Sequence, residues 1–87
     1  MPSSIVLVTG ATGYVGGRLV PHLLRKGHSV RAAGRSLAKL ASRPWSGWEG
    51  AETVQADVLD RSSLDRAVAG CRAVYYLVHS MNPGTQD

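Results

Sequence analysis

Val8-Thr9-Gly10-Ala11-Thr12-Gly13-Tyr14-Val15-Gly16-Gly17 sets Gly10, Gly13 and Gly16 three apart, directly after the apolar run Ile5 to Val8. That run is β-branched or leucine throughout, as a parallel strand covered on both faces requires. Beyond the glycines, Val15, Leu19, Leu23 and Leu24 recur at helical spacing. Strand, glycine turn and amphipathic helix in this order form the setting of a dinucleotide phosphate loop. Each glycine then has its own task. Gly10 turns the chain off the strand, Gly13 leaves room for a pyrophosphate beside the backbone, and Gly16 lets the helix lie close. The alternative is a glycine turn that merely joins strand to helix.

With 87 residues the chain is one domain at most, small enough that roughly 60 to 65% of its unfolded surface is buried on folding. A full dinucleotide fold consists of two mononucleotide halves, so only the first half and one further strand fit. The polar, turn-rich tail Met81 to Asp87 follows an apolar strand where a helix normally begins. Residues 1–87 are therefore expected to be the N-terminal portion of an NAD(P)-binding Rossmann domain, a fragment without its substrate part.

Ten Lys and Arg against six Asp and Glu give a net charge of +4, which raises nucleic acid as a partner. The basic residues are spread along the chain with no interleaved aromatics, and this argues against it. A lone Cys71 excludes an internal disulfide and, with no His pair at metal spacing, a metal centre; a reducing, cytoplasmic setting is the simplest. The run from Ile5 is too short for a signal core or membrane span. Cys71 itself reads as a small core residue rather than a nucleophile.

Lys26-Gly27-His28 stops the first helix, and Pro21 within it should remove one hydrogen bond and bend it near Leu19. Strands are expected over Ser29 to Ala33, Glu52 to Ala56 and Ala73 to Val78. Helices are expected over Ser36 to Ala41, with Ser36 as N-cap, and over Ser62 to Ala69, with Ser42 to Gly50 a loop. The alternation predicts an α/β, Rossmann-type parallel sheet with flanking helices, incomplete at about four strands in the order 3-2-1-4.

Arg35 lies 19 residues after Gly16, at the end of the second strand, where dinucleotide folds read the adenosine ribose. An Asp or Glu there accepts bonds from a free 2′-hydroxyl; an arginine favours a 2′-phosphate, with Ser36 and Lys39 at hand. NADP(H) is accordingly expected over NAD(H), against the alternative of an ordinary surface arginine. Asp57, after the third strand, suits either an adenine amino group or a helix cap. His79 and Ser80 leave the fourth strand at the same edge, near a cofactor or simply in a loop.

These residues resemble the short-chain dehydrogenase/reductase superfamily in its extended and atypical branches. The segment Thr9 to Gly16 is similar to that superfamily's glycine motif. The whole chain looks most like NmrA-like regulators, the complex I accessory subunit and nucleoside-diphosphate-sugar epimerase-like proteins. The resemblance implies cofactor contacts from Gly10, Ala11, Thr12, Gly13, Tyr14, Val15 and Gly16. It also implies a 2′-phosphate at Arg35, an adenine segment Ala56-Asp57-Val58, and a fourth-strand signature from Val74 to Met81 that includes Leu77, Val78 and His79. It implies no catalytic residue here: active members use Tyr-x-x-x-Lys, and no tyrosine of this sequence has lysine four residues later.

Two functions follow as expectations. One is the cofactor half of an NADP(H)-dependent oxidoreductase or sugar-nucleotide epimerase; the other is a non-catalytic module that senses NADP(H) or serves a structural role. Trp45 and Trp48 suit a partner anchor or a local core, with the core preferred. An uncovered fourth strand, or helices without their neighbours, should lead to homo-oligomers.

Overall fold

The computed structural model describes residues 5–77. Four parallel strands, β1 (Ile5–Val8), β2 (Ser29–Gly34), β3 (Ala51–Gln55) and β4 (Ala73–Tyr75), form one sheet in the order β3-β2-β1-β4. The connections are α1 (Tyr14–Arg25), α2 (Leu37–Ala41) followed by a 3₁₀ turn (Pro44–Gly47), and α3 (Arg61–Val68). This is the strand order expected for a Rossmann-type sheet. Within the expected loop, Pro44 starts the 3₁₀ turn, since its fixed φ suits a first helical position. The fourth strand is shorter than expected: it ends at Tyr75, and Val78 lies outside the described residues.

Side-chain alternation on the two central strands divides the core. Val6, Val8, Val30 and Ala32 face α1, α2 and the 3₁₀ turn, packing with Val20, Leu23, Leu40 and Trp45. Leu7 and Ala33 face the other way and pack with Ala56 and Ala67 from the α3 side. Cys71 lies partly buried against this second cluster, as a small core residue should. Helix α1 runs unbroken through Pro21 and closes at Lys26, after which Gly27 takes a φ of +93°.

The two tryptophans separate. Trp45 is buried in the first cluster, whereas Trp48 is 41% exposed and lies under the Arg25 guanidinium at 5.7 Å from the ring centroid. A core role for Trp48 is thus corrected: it follows the 3₁₀ turn, whose single inward position belongs to Trp45.

Arg31 is a charged residue in the middle of β2, on the α3 face. Its Nε donates to Glu52 Oε1 at 3.1 Å, its partner across the β2–β3 ladder, and Nη1 donates to the carbonyls of Ala67 and Ala69 at 2.7 and 2.8 Å. The last carbonyls of α3 lack helical donors, so this cation ties the helix end to the sheet.

Asp60 caps the other end of α3. One carboxylate oxygen accepts from the Ser62 hydroxyl at 2.9 Å and from the Ser62 and Ser63 amides at 3.1 and 3.4 Å. The Ser62 hydroxyl, and after it the Ser63 amide, hold the Asp60 pKa below its ordinary value. A folded-state pKa below the unfolded one gives stability that is complete above the unfolded value and lost as pH falls through the folded value. Asp60→Asn keeps a capping side chain but does not titrate. The wild type should therefore lose more of its melting temperature than Asp60→Asn on acidification through the carboxylate range, followed by circular dichroism. Parallel losses would show that this cap carries no acid sensitivity.

Candidate cofactor site

All four strands point their carboxyl ends to one edge, and the glycine turn crosses it between β1 and α1. Gly10 adopts φ +65°, the left-handed region that disfavours a side chain, and a Cβ there would meet the Leu77 carbonyl oxygen at 2.5 Å. A Cβ on Gly16 would overlap the Gly10 carbonyl oxygen and lie 2.9 Å from the Ala11 Cα. Gly16 thus lets the helix close on the glycine turn itself. Gly13, the residue before α1, has φ −78° and ψ 179°, extended backbone open to any residue, so its conformation does not demand glycine.

Helical bonding begins with the Gly17 amide donating to the Gly13 carbonyl at 2.8 Å. The amides of Tyr14, Val15 and Gly16 precede that bond and have no acceptor among the described residues; they are the donors of a helix N-terminus, where the dipole favours an anion. Val15 is exposed, and so is Tyr14, whose ring carries the Arg18 guanidinium at 4.8 Å from its centroid.

Backbone bonds tie the turn to the neighbouring strand ends. The Ala11 amide donates to the Ala33 carbonyl at 3.1 Å, and the Ala56 amide to the Gly34 carbonyl at 2.9 Å. On the other side buried Thr9 acts as a clip. Its amide and hydroxyl donate to the Tyr75 carbonyl at 3.0 and 3.3 Å, and the hydroxyl oxygen accepts from the Leu77 amide at 2.9 Å. Leu77, half-buried, is thereby held beside Gly10. Val78 and His79, and with them Ser80, lie outside the described residues.

Arg35 is the first residue beyond β2 and is exposed; its carbonyl accepts from Gln55 Nε2 at 3.2 Å. Ser36 caps α2, its hydroxyl oxygen accepting from the Lys39 amide at 3.2 Å, which leaves the hydroxyl proton for another acceptor. Asp57 accepts from the Leu59 amide at 2.9 Å through Oδ1, leaving Oδ2 for a further donor, while Asp60 performs the capping of α3. Val58 follows in the same turn and is half-buried. Arg35, Gln55, Ala56, Asp57, Asp60, Ser63 and Arg66 line a cleft of about 260 Å³. A larger depression of about 420 Å³ lies on the α3 side, lined by Arg31 and Glu52 among others, but Arg31 already bonds both Glu52 and the end of α3.

The structure therefore brings together the glycine turn, Arg35, Ser36, Asp57, Val58 and Leu77 at one edge, with Lys39 exposed on α2. Thr9 as a clip, and Arg43, whose Nη2 donates to the Thr12 carbonyl at 3.0 Å, carry no signal in the local sequence.

Residues 10–87 match the NAD(P)H-binding family. The chain belongs to the NAD(P)H-binding family. Several of its relatives are reductases. Ketoreductase CTB6 of Cercospora nicotianae is 38% identical over 95% of this chain and 25% of its own length. Dihydroflavonol 4-reductase of Hordeum vulgare is 37% identical over 94% of this chain and likewise 25% of its own. The chain thus spans about a quarter of the length of these relatives. Among solved structures, serine dehydrogenase in its closed form complexed with NADP+ is 31% identical over 79% of this chain and 28% of its own, with a TM-score of 0.65. As a member of the NAD(P)H-binding family with reductase and dehydrogenase relatives, the chain meets the short-chain dehydrogenase/reductase resemblance of its glycine motif. Among the described residues no helix is long and apolar enough to cross a membrane.

Proposed function

We propose that this chain is the cofactor-binding portion of an NADP(H)-dependent reductase. The observation that carries the reading is Arg35, which stands directly after β2 at the mouth of the 260 Å³ cleft that also holds Asp57. A guanidinium there offers a fork of donors to a 2′-phosphate, where a carboxylate would repel it. The diphosphate bridge would lie on the free amides of Tyr14, Val15 and Gly16 beside Gly13, and the adenine amino group would reach Asp57 Oδ2. Ser36 and Lys39 would add a hydroxyl and a charge to the 2′-phosphate; Val58 would flank the adenine, Leu77 would approach from beyond β4, and Val78 and His79 are proposed as further contacts.

When bound, the nicotinamide would supply hydride chemistry; this chain's residues bind and orient the dinucleotide. Reductase relatives favour reduction of a carbonyl over epimerisation. The lone Cys71 fits a reducing, cytoplasmic setting. The test is a titration of the purified chain with NADPH and NADH, followed by nicotinamide fluorescence. NADPH should bind at least about tenfold tighter, the worth of one charge-assisted bond. Equal affinities would refute the 2′-phosphate assignment.

The same reading expects self-association. Among the described residues β4 is an edge strand whose Ala73, Val74 and Tyr75 are all exposed, so its outer backbone is open to the β4 of a second copy. Light scattering at high concentration should give a mass above that of one chain; a monomer throughout would refute it.

A further inference from the structure

Arg43 follows α2 and is half-buried against the glycine turn through the bond from Nη2 to the Thr12 carbonyl. Its Nε is shut off from solvent and has no hydrogen-bond partner among the described residues. Among the described residues the only ion pairs are Arg31 with Glu52 and Arg61 with Asp65, so no carboxylate balances Arg43.

Its place is fixed by the fold. The Arg43 amide donates to the Leu40 carbonyl at 3.2 Å, and its carbonyl accepts from the Ser46 amide at 3.0 Å. Pro44 holds it in extended conformation, and buried Leu40 and Trp45 anchor the chain on both sides. An arginine secured this way and left without a counter-charge calls for an anion from outside the chain.

We infer that Arg43 is a second phosphate-binding arginine of the cofactor site: it braces the Thr12 carbonyl with one Nη2 proton and offers its remaining Nη donors to a phosphate of the dinucleotide. The inference rests on the cofactor reading for the identity of the ligand. Two phosphates share this chemistry, the 2′-phosphate and the diphosphate bridge. Either one gains a planar fork of N–H groups from the α2 side, on a segment separate from Arg35.

The test uses Arg43→Gln and Arg43→Lys in the full chain, with NADPH, NADH and sodium pyrophosphate as probes. Arg43→Gln should weaken NADPH binding by roughly 10- to 100-fold, the range for losing a hydrogen bond to a charged group. Arg43→Lys should recover part of the loss. Unchanged NADH binding would assign the 2′-phosphate, and an equal loss with both nucleotides the diphosphate bridge. Pyrophosphate should raise the melting temperature of the wild type and of Arg43→Lys, with little effect on Arg43→Gln; a merely structural arginine would change the starting melting temperature but not this response. Pyrophosphate stabilisation that depends on Arg43 in a chain binding neither nucleotide would sink the cofactor reading and leave the anion site standing. Undiminished NADPH binding in Arg43→Gln would overturn the inference. So would an equal pyrophosphate response in Arg43→Gln and wild type, or none in the wild type.

Discussion

Gly16→Val is expected to abolish the folded state, and Gly16→Ala to remove a large part of its stability. The first added carbon would overlap the Gly10 carbonyl oxygen and press on the Ala11 Cα, both backbone atoms of one turn. That turn cannot retreat. Gly10 is in the left-handed region with the Leu77 carbonyl against it, and the Ala11 amide is bonded to β2. Overpacking of this kind costs about 1–3 kcal/mol and more where nothing yields. A domain this size has about 4–13 kcal/mol in total, so alanine removes a sizeable fraction and the two further carbons of valine the rest. Gly47→Ala is the control: nothing lies within 4 Å of its Cβ position, and its φ is not positive. Urea unfolding followed by circular dichroism should give Gly47→Ala a near wild-type midpoint, Gly16→Ala a much lower one, and Gly16→Val no transition. A valine variant as stable as wild type would mean that α1 is free to move away from the turn.

The glycine turn was readable because its causes are local. A left-handed Gly10, a close approach at Gly16 and a helical apolar stripe each leave a mark within a few residues, and the strand order follows from alternation with right-handed crossovers. Arg35 was readable for a similar reason, since its distance from Gly16 is set by the length of one helix and one strand. Thr9 and Arg43 were not. Thr9 matters through partners at Tyr75 and Leu77, and Arg43 through a carbonyl 31 residues away, so neither has a spacing to betray it. Trp45 and Trp48 show the same limit. They are three apart in one short segment, yet the 3₁₀ turn buries the first and leaves the second beside Arg25. The role of Arg31 left no local mark either, because the helix whose carbonyls satisfy it lies more than 30 residues further on.

Arg35→Asp should invert the nucleotide preference. The substitution removes the donors facing a 2′-phosphate and puts a carboxylate against it, so the lost charged bonds add to a like-charge repulsion. Because Arg35 is exposed, screening tempers both effects, and the loss should be larger at low salt than at high. NADPH affinity is expected to fall by about 100-fold at low ionic strength. NADH, with free ribose hydroxyls that a carboxylate can accept from, should bind as well as before or better. The ratio of the two affinities is the informative quantity, since damage to the fold would weaken both. Among the described residues Arg35 makes no side-chain bond and lends only its carbonyl to Gln55, so the variant should melt close to the wild type. A preference for NADPH that survived in Arg35→Asp would move the 2′-phosphate away from the end of β2, and Lys39 or Arg43 would then have to read it.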